Sequence, residues 1–222
     1  MDGLSYGFST DQDGFLKNVT GVVHVGANTG QERGKYDELG LDVIWIEPIP
    51  ELFARLQENV RSLPRQRAFE CLVTDKDGEN LTLYVSNNDG LSSSIFDLKE
   101  HRDIWPEITY TGAIQVTSTT LTSLFRKASI DPGQYQALVM DTQGSELLVL
   151  RGAIPLLGAF RYIKTEVADF EIYAGCCQLS DIEAFMQQHG FSELSRIKFA
   201  DRPQGGACYD VIYEGPAVQR AV

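Results

Sequence analysis

The chain has 222 residues, 43% of them hydrophobic and 23% charged, with a net charge of −12 and a pI near 4.6. That length and balance suit one large α/β domain with a substantial core. The acidity argues against duplex nucleic acid or an anionic membrane as the main partner, because phosphate binding needs concentrated Lys and Arg. No apolar run approaches the roughly 20 residues that span a bilayer.

Met1 to Asp13 is polar and acidic and shows no signal-peptide pattern, so a cytoplasmic protein is expected. Cys71, Cys176, Cys177 and Cys208 form no Cys-x-x-Cys pair, which is consistent with reduced thiols in that compartment. Residues 1–20 read as a lead-in, with a turn at Asp11-Gln-Asp-Gly14 and a short helix after it.

The organising stretch is Gly21-Val-Val-His-Val-Gly-Ala-Asn-Thr-Gly30. Val22, Val23 and Val25 predict a buried parallel strand, and Gly26 to Gly30 a tight turn into a helix from Gln31 to Leu39, which Gly40 can cap. Val43-Ile-Trp-Ile-Glu47 predicts a second strand that ends in an acid. Pro48 and Pro50 then lead into a helix whose apolar face is Leu52, Phe53, Leu56 and Val60. Arg67 to Thr74 reads as a third strand, Asp75-Lys-Asp-Gly78 as a turn, and Leu81 to Val85 as an added strand.

Residues 86–113 are expected to form a polar lid or acceptor loop, including Ser92-Ser-Ser94 and an aperiodic section with His101, Trp105 and Tyr110. His101 and His189 are expected at the surface. Gln115 to Thr117 is a short strand, and Thr120 caps a helix to Ala128. Tyr135 to Asp141 and Arg161 to Glu166 are two more strands with terminal acids, separated by a helix from Gly144. Ser180 is expected to cap a helix through Ile182, Phe185 and Met186. Phe191–Phe199 and Cys208–Tyr213 then form an antiparallel closing pair.

Strands alternating with helices imply a mostly parallel sheet covered on both faces, with ligands beyond the C-terminal strand ends. Glu47, Asp141 and Glu166 share that rim. A dinucleotide fingerprint needs Gly-x-Gly-x-x-Gly, and here the middle glycine is missing between Gly26 and Gly30. A pyrophosphate therefore has no obvious seat. S-adenosyl-L-methionine (SAM) needs only a tight turn and a ribose acceptor. An ordinary βα turn remains the bland alternative.

The chain resembles the FkbM-type SAM-dependent methyltransferases from about Val22 to about Tyr213. The resemblance rests on His24-Val-Gly-Ala-Asn-Thr-Gly-Gln-Glu32, Trp45-Ile-Glu-Pro48, the Asp75-to-Gly78 turn, Ser92-Ser-Ser-Ile95, Met140-Asp-Thr-Gln-Gly-Ser-Glu146 with Leu150-Arg-Gly-Ala153, Thr165-Glu-Val167 and Tyr173-Ala-Gly175. The family usually carries Asp where this chain has His24.

The resemblance implies a class I, Rossmann-like fold: seven mostly parallel strands, helices on both faces and a C-terminal antiparallel hairpin. It implies that Gly26, Ala27, Asn28 and Gly30 shape the methionine side of the cofactor pocket and that Glu47 holds the ribose. Asp75, or the backbone at Val73 and Thr74, would meet the adenine amine at the end of strand three. Ser93 and Ser94 would contact the cofactor or order the loop above it, and Asp141 and Gln143 would stand where its amino group and the acceptor converge. Asp141 and Glu166 are the acceptor-side candidates for a base. His24 is a third candidate, with a neutral hydrogen-bonded strand residue as the plainer reading. Asp75 is equally well explained as a turn residue, and Glu146 as a helix-start carboxylate.

No required metal is expected, since Asp141, Glu166 and Asp169 make only a partial set. No Asn/Asp-Pro-Pro-aromatic clamp follows the fourth strand, which favours a hydroxyl acceptor on a sugar, polyketide or similar metabolite. The expectation is an O-methyltransferase acting on a small molecule or glycan, with a homodimer possible by analogy. An NAD-type oxidoreductase and a non-catalytic nucleoside-binding domain are the competing readings.

Overall fold

A computed structural model describes residues 13–216. Asp11 and Gln12 of the expected first turn therefore lie outside the described residues. A 3₁₀ turn, Gly14–Asn18, leads into β1 (Gly21–Val25), α1 (Arg33–Glu38), β2 (Asp42–Glu47), α2 (Pro50–Val60) and β3 (Gln66–Glu70). Next come β4 (Leu72–Val73), β5 (Asn80–Ser86), β6 (Tyr110–Thr119), α3 (Leu121–Lys127) and β7 (Ala137–Met140). The last elements are α4 (Glu146–Gly152), β8 (Tyr162–Ala168), α5 (Leu179–Gln188), β9 (Ser192–Asp201) and β10 (Ala207–Glu214).

The main sheet runs β3-β2-β1-β7-β8-β10-β9. Its first five strands are parallel, and β10 is antiparallel to both β8 and β9. This is the expected seven-stranded sheet with its closing hairpin. Order reverses between β1 and β7, which opens a crevice beyond their C-terminal ends.

Period-two alternation divides the core between the two sheet faces. Val23, Val25, Ile44, Leu138, Met140 and Ile163 pack with residues of α3, α4 and α5 such as Phe125, Leu150 and Ile182. Val22, Val43, Trp45, Ala137 and Val139 pack with Phe15, Tyr36, Leu56 and Val60. Strands buried on both faces need apolar residues at successive positions, which is why they are continuous Val/Ile/Leu runs.

The third strand departs from expectation. It breaks at Cys71: Glu70 still pairs with Glu47, but Leu72 pairs with Ser118 in a second sheet, ordered β4-β6-β5. The expected short strand at Gln115–Thr117 is ten residues long, starts at Tyr110 and pairs antiparallel with β5. The loop therefore ends before Tyr110 rather than at residue 113. Ile49, Leu52 and Leu83, with Ile114 and Val116, form a small core joining this sheet to the start of α2.

Helix ends follow capping chemistry. The Thr120 side chain accepts the Ser123 N–H at 3.0 Å, as expected. The cap of α5 is Gln178 rather than Ser180, with Asp181 accepting the Gln178 N–H at 2.8 Å. Among the described residues no helix is long and apolar enough to cross a membrane.

Gly152 fixes how α4 meets the second sheet. A Cβ there would lie 2.1 Å from the Thr74 carbonyl oxygen, whereas one at Gly158 would meet nothing within 4 Å. Gly152→Ala should therefore destabilise the protein by about 1–3 kcal/mol, and Gly158→Ala by less than about 0.5 kcal/mol. Urea melts of the two variants test this, and equal midpoints would count against the contact.

Candidate active site

The turn after β1 is held by backbone geometry. The Gly26 and Ala27 N–H groups both donate to the Ile46 carbonyl at 3.0 Å. Gly26 has φ +80°, and a Cβ there would stand 1.8 Å from the Asp141 carbonyl oxygen. Only glycine allows both the left-handed conformation and that close approach. Gly30 (φ +72°) faces Leu56 of α2, where a Cβ would lie 2.7 Å from its side chain. Asn28 has φ +46°, a region Asn tolerates better than most residues.

Glu47 ties this turn to the end of β2. One carboxylate oxygen accepts the Asn28 N–H at 2.8 Å and the other accepts the Ile49 N–H at 2.9 Å. The residue is 4% exposed, and burial pushes its carboxyl up to about 7 against the pull of those two donors. Each oxygen retains a lone pair for another donor.

Two long loops roof the adjoining strand ends. Asn28 Nδ2 donates to the Asp89 carbonyl at 3.0 Å, and Ser94 Oγ donates to the Gln143 carbonyl at 2.7 Å. Ser93 Oγ accepts the Ser86 N–H at 3.1 Å, which folds the loop on itself. Ser93 and Ser94 thus order this loop through their hydroxyls. Further on, Leu98 pairs with Tyr173, and the Lys99 and His101 N–H groups donate to the Ile172 carbonyl. The segment expected as a lid is thereby stitched to the loop after β8. His101 is only 2% exposed, against the expected surface position, and its ring packs on Trp105 and Tyr173.

Asp141 directly follows β7, and Glu166 lies one residue past the last β7–β8 pair, Met140 with Thr165; it is not the terminal acid expected, because β8 runs on to Ala168 against β10. Gln143 Nε2 donates to Asp141 Oδ1 at 2.5 Å, and Tyr173 OH donates to Gln143 Oε1 at 2.5 Å. Burial raises the Asp141 carboxyl to about 7, with Glu146, Glu32 and Asp210 adding to the rise. Burial also raises Glu166 well above the ordinary carboxylate range, followed by the Asp141 charge. Like charges this close oppose simultaneous ionisation. A cavity of about 20 Å³ lies between Gln143, Glu146, Glu166, Tyr173, Cys177 and Cys208.

Glu146 takes the helix-start role. It is 2% exposed and accepts the Thr142 and Gly144 N–H groups at 2.9 and 3.0 Å. Glu47, Asp141 and Glu146 enter no ion pair among the described residues. Each is held by uncharged N–H donors instead.

Two expected site residues are not brought to this rim. His24 is 5% exposed, 3.1 Å through Nδ1 from the Tyr36 hydroxyl and stacked on Trp45. Burial lowers its pKa, which favours the neutral ring. Its place is in the core beneath α1. Asp75 follows β4 into the second sheet, against Gly152, because β3 has already ended at Glu70. The backbone at Glu70 and Cys71, not Val73 and Thr74, marks the end of the third strand of the main sheet. Among the described residues, no group of three or more His, Cys, Asp or Glu could hold a metal ion. Asp169 instead accepts the Ala207 N–H and the Tyr209 hydroxyl.

A family model for the methyltransferase FkbM domain matches residues 24–193. The chain belongs to that family. Its cofactor is S-adenosyl-L-methionine. The chain is 30% identical over 162 residues to 2-O-methyltransferase NoeI of Sinorhizobium fredii (strain NBRC 101917 / NGR234), a match covering 69% of this chain and 65% of that protein. The chain thus spans just under two thirds of that relative's length.

Solved structures show the same fold. One is a Streptococcus pneumoniae protein, Sp1610, a candidate tRNA methyltransferase in complex with SAM. It has TM-score 0.52 and 10% identity, with 94% of this chain and 73% of that one covered. An uncharacterised protein of Listeria monocytogenes serotype 4b gives TM-score 0.53 at 10% identity, covering 95% and 69%.

A raised carboxyl pKa has a signed consequence for stability. Between the unfolded value near 3.8 and the folded value of about 7, the folded state holds more protons at Asp141 than the unfolded state. This residue's contribution therefore falls as pH rises through that window. Asp141→Asn keeps an acceptor for Gln143 and removes the titration. The variant should exceed wild type by on the order of 1–3 kcal/mol at pH 8 and lose that advantage towards pH 4. Denaturant melts at the two pH values measure it; an advantage independent of pH would contradict the assignment.

Proposed function

We propose that this protein transfers a methyl group from SAM to a hydroxyl group of a small molecule or glycan. The observation that carries the cofactor side is the set of buried rim carboxylates held by uncharged donors. SAM is cationic at both its sulfonium and its ammonium. The middle glycine that seats a pyrophosphate is missing between Gly26 and Gly30, which speaks against an NAD-type oxidoreductase. Support for oxygen as the acceptor comes from the 2-O-methyltransferase relative and from the missing proline-aromatic clamp after β7.

The donor set fits the cofactor. Glu47 has two oxygens with one free lone pair each, suited to the two ribose hydroxyls. Gly26, Ala27, Asn28 and Gly30 give the methionine moiety a wall of backbone without side chains in the way. Asp141 and Gln143 face its ammonium end. Ser93 and Ser94 act by holding the roof over it, and Asp75 acts as a turn residue.

When bound, SAM supplies a methyl carbon already activated by a sulfonium leaving group. The chain's own contribution is then alignment, which can be worth roughly 7–11 kcal/mol of a barrier. The roof formed by residues 87–109 and the loop after β8 excludes water from the strand ends. With SAM and the acceptor bound, Asp141 or Glu166 would take the proton that the acceptor hydroxyl must lose. A carboxylate whose pKa is lifted towards neutrality is a better base than an ordinary one, and such a base adds about 10²–10⁴-fold. Because the two carboxyls resist double ionisation, one can accept the proton while the other donates a hydrogen bond to the acceptor.

Adenosylhomocysteine should bind in calorimetric titration and NAD should not, with Glu47→Ala weakening adenosylhomocysteine at least about tenfold. Incubation with labelled SAM and a panel of sugars and polyols should give a product heavier by one methyl group on oxygen, read by mass spectrometry. Label on nitrogen alone would overturn the acceptor class, and NAD binding would overturn the cofactor. Adenosylhomocysteine binding without any turnover would favour a bare binding domain.

A further inference from the structure

Asp141 depends on a neighbour that does not itself face the cofactor turn. Its Oδ1 accepts from Gln143 Nε2, and the other end of that amide, Oε1, accepts from the Tyr173 hydroxyl. An amide has one accepting and one donating end. The Asp141 carboxylate only accepts and so takes the Nε2 end, which leaves Oε1 to accept the Tyr173 O–H and anchors the far end of the amide.

We propose that Tyr173 is the positioning residue for Asp141, acting through the Gln143 amide. This rests on the reading of Asp141 as a site carboxylate.

The surroundings over-determine the relay. Tyr173 is 1% exposed, and its ring is backed by His101. Burial lowers His101 to about 4, so it stays neutral at physiological pH and acts as packing. Gln143 has φ +54° and Gly144 φ +103°, and a Cβ at Gly144 would lie 2.8 Å from Cys176 Cβ and 3.2 Å from the Tyr173 ring. The β7–α4 turn is therefore pressed onto the loop that carries Tyr173. Ser94 holds the Gln143 carbonyl from the opposite loop. Gln143 is thus gripped at backbone and side chain by the two loops that roof the site.

The consequence is electrostatic as well as geometric. An N–H donated to a carboxylate favours its charged form. Burial raises Asp141 most, and the charged groups that add to the rise are all carboxylates: Glu146 from α4, Glu32 ahead of α1 and Asp210 from β10. The Gln143 donor opposes them, while Asp141 in turn raises Glu47 of β2 and Glu166 of β8. Releasing Gln143 should leave Asp141 harder to ionise.

The test is a ¹³C-carboxyl NMR titration of aspartate-labelled full chain, with the Asp141 signal assigned by its loss in Asp141→Asn. Wild type should titrate at about 7. Tyr173→Phe removes one oxygen and should move the midpoint up by roughly half a unit to one unit. Gln143→Gly, which suits the left-handed backbone, should move it at least as far. The double variant should titrate where Gln143→Gly does.

An unmoved midpoint in Tyr173→Phe, or a further rise when Tyr173→Phe is added to Gln143→Gly, would overturn the proposal. Should Tyr173→Phe fail to fold, an unmoved midpoint in Gln143→Gly alone overturns it. A chain that does not bind adenosylhomocysteine would undo the functional reading without altering these titrations.

Discussion

The contact between Gly26 and the Asp141 carbonyl sets the geometry on which the site depends. It brings the ends of β1 and β7 together where the strand order reverses, closer than any side chain would allow. Glu47 then locks the same turn to the end of β2 through the Asn28 N–H. Three strand ends are joined with no bulky group between them. The crevice is shaped by backbone, and the carboxylates stand at its edges.

Burying those carboxylates without cations is unfavourable to folding. The protein offsets the cost with neutral donors: backbone N–H groups for Glu47 and Glu146, and an amide for Asp141. Lysines and arginines would have stabilised the apo protein more, but would repel a sulfonium. Glu47, Asp141 and Glu146 thus stand without a paired cation among the described residues, whereas the charge of Lys164, two residues before Glu166 on β8, acts on Glu166. Lys164 also pairs with Asp13 at 3.1 Å and fastens the start of the described chain.

Much of the fold is legible because strands buried on both faces leave an unmistakable run of apolar residues, and two of these runs, in β2 and β7, lead directly into an acid, Glu47 and Asp141. The cofactor turn was legible for a related reason: Gly26 must be glycine. The second sheet was harder to see. Tyr110 to Thr119 is half exposed and has only Ile114 and Val116 as large aliphatic residues among three threonines, so it lacks a strong apolar signal. The break at Cys71 leaves no local mark, because Arg67 to Thr74 reads as one continuous strand. Of the two readings of Asp75, the structure agrees with the turn residue, in the bend that follows β4. His101 carried the prior of a lone loop histidine, and only the packing of distant Tyr173 reverses it.

The relay from Tyr173 shows where sequence reasoning stops. Tyr173 and Gln143 are 30 residues apart, and neither their spacing nor their character announces a hydrogen bond. What can be seen in the sequence is that Gln143-Gly144 must turn sharply between a strand and a helix. A residue held at positive φ has few alternatives for its side chain, so whatever meets it gains leverage over the neighbouring strand end. Here both roof loops meet it, one through Ser94 and one through Tyr173. Ser94 grips the Gln143 backbone carbonyl and Tyr173 its side-chain amide, and only the latter is bonded on to Asp141. Both roof loops therefore bear on the end of β7 at one residue of the β7–α4 turn.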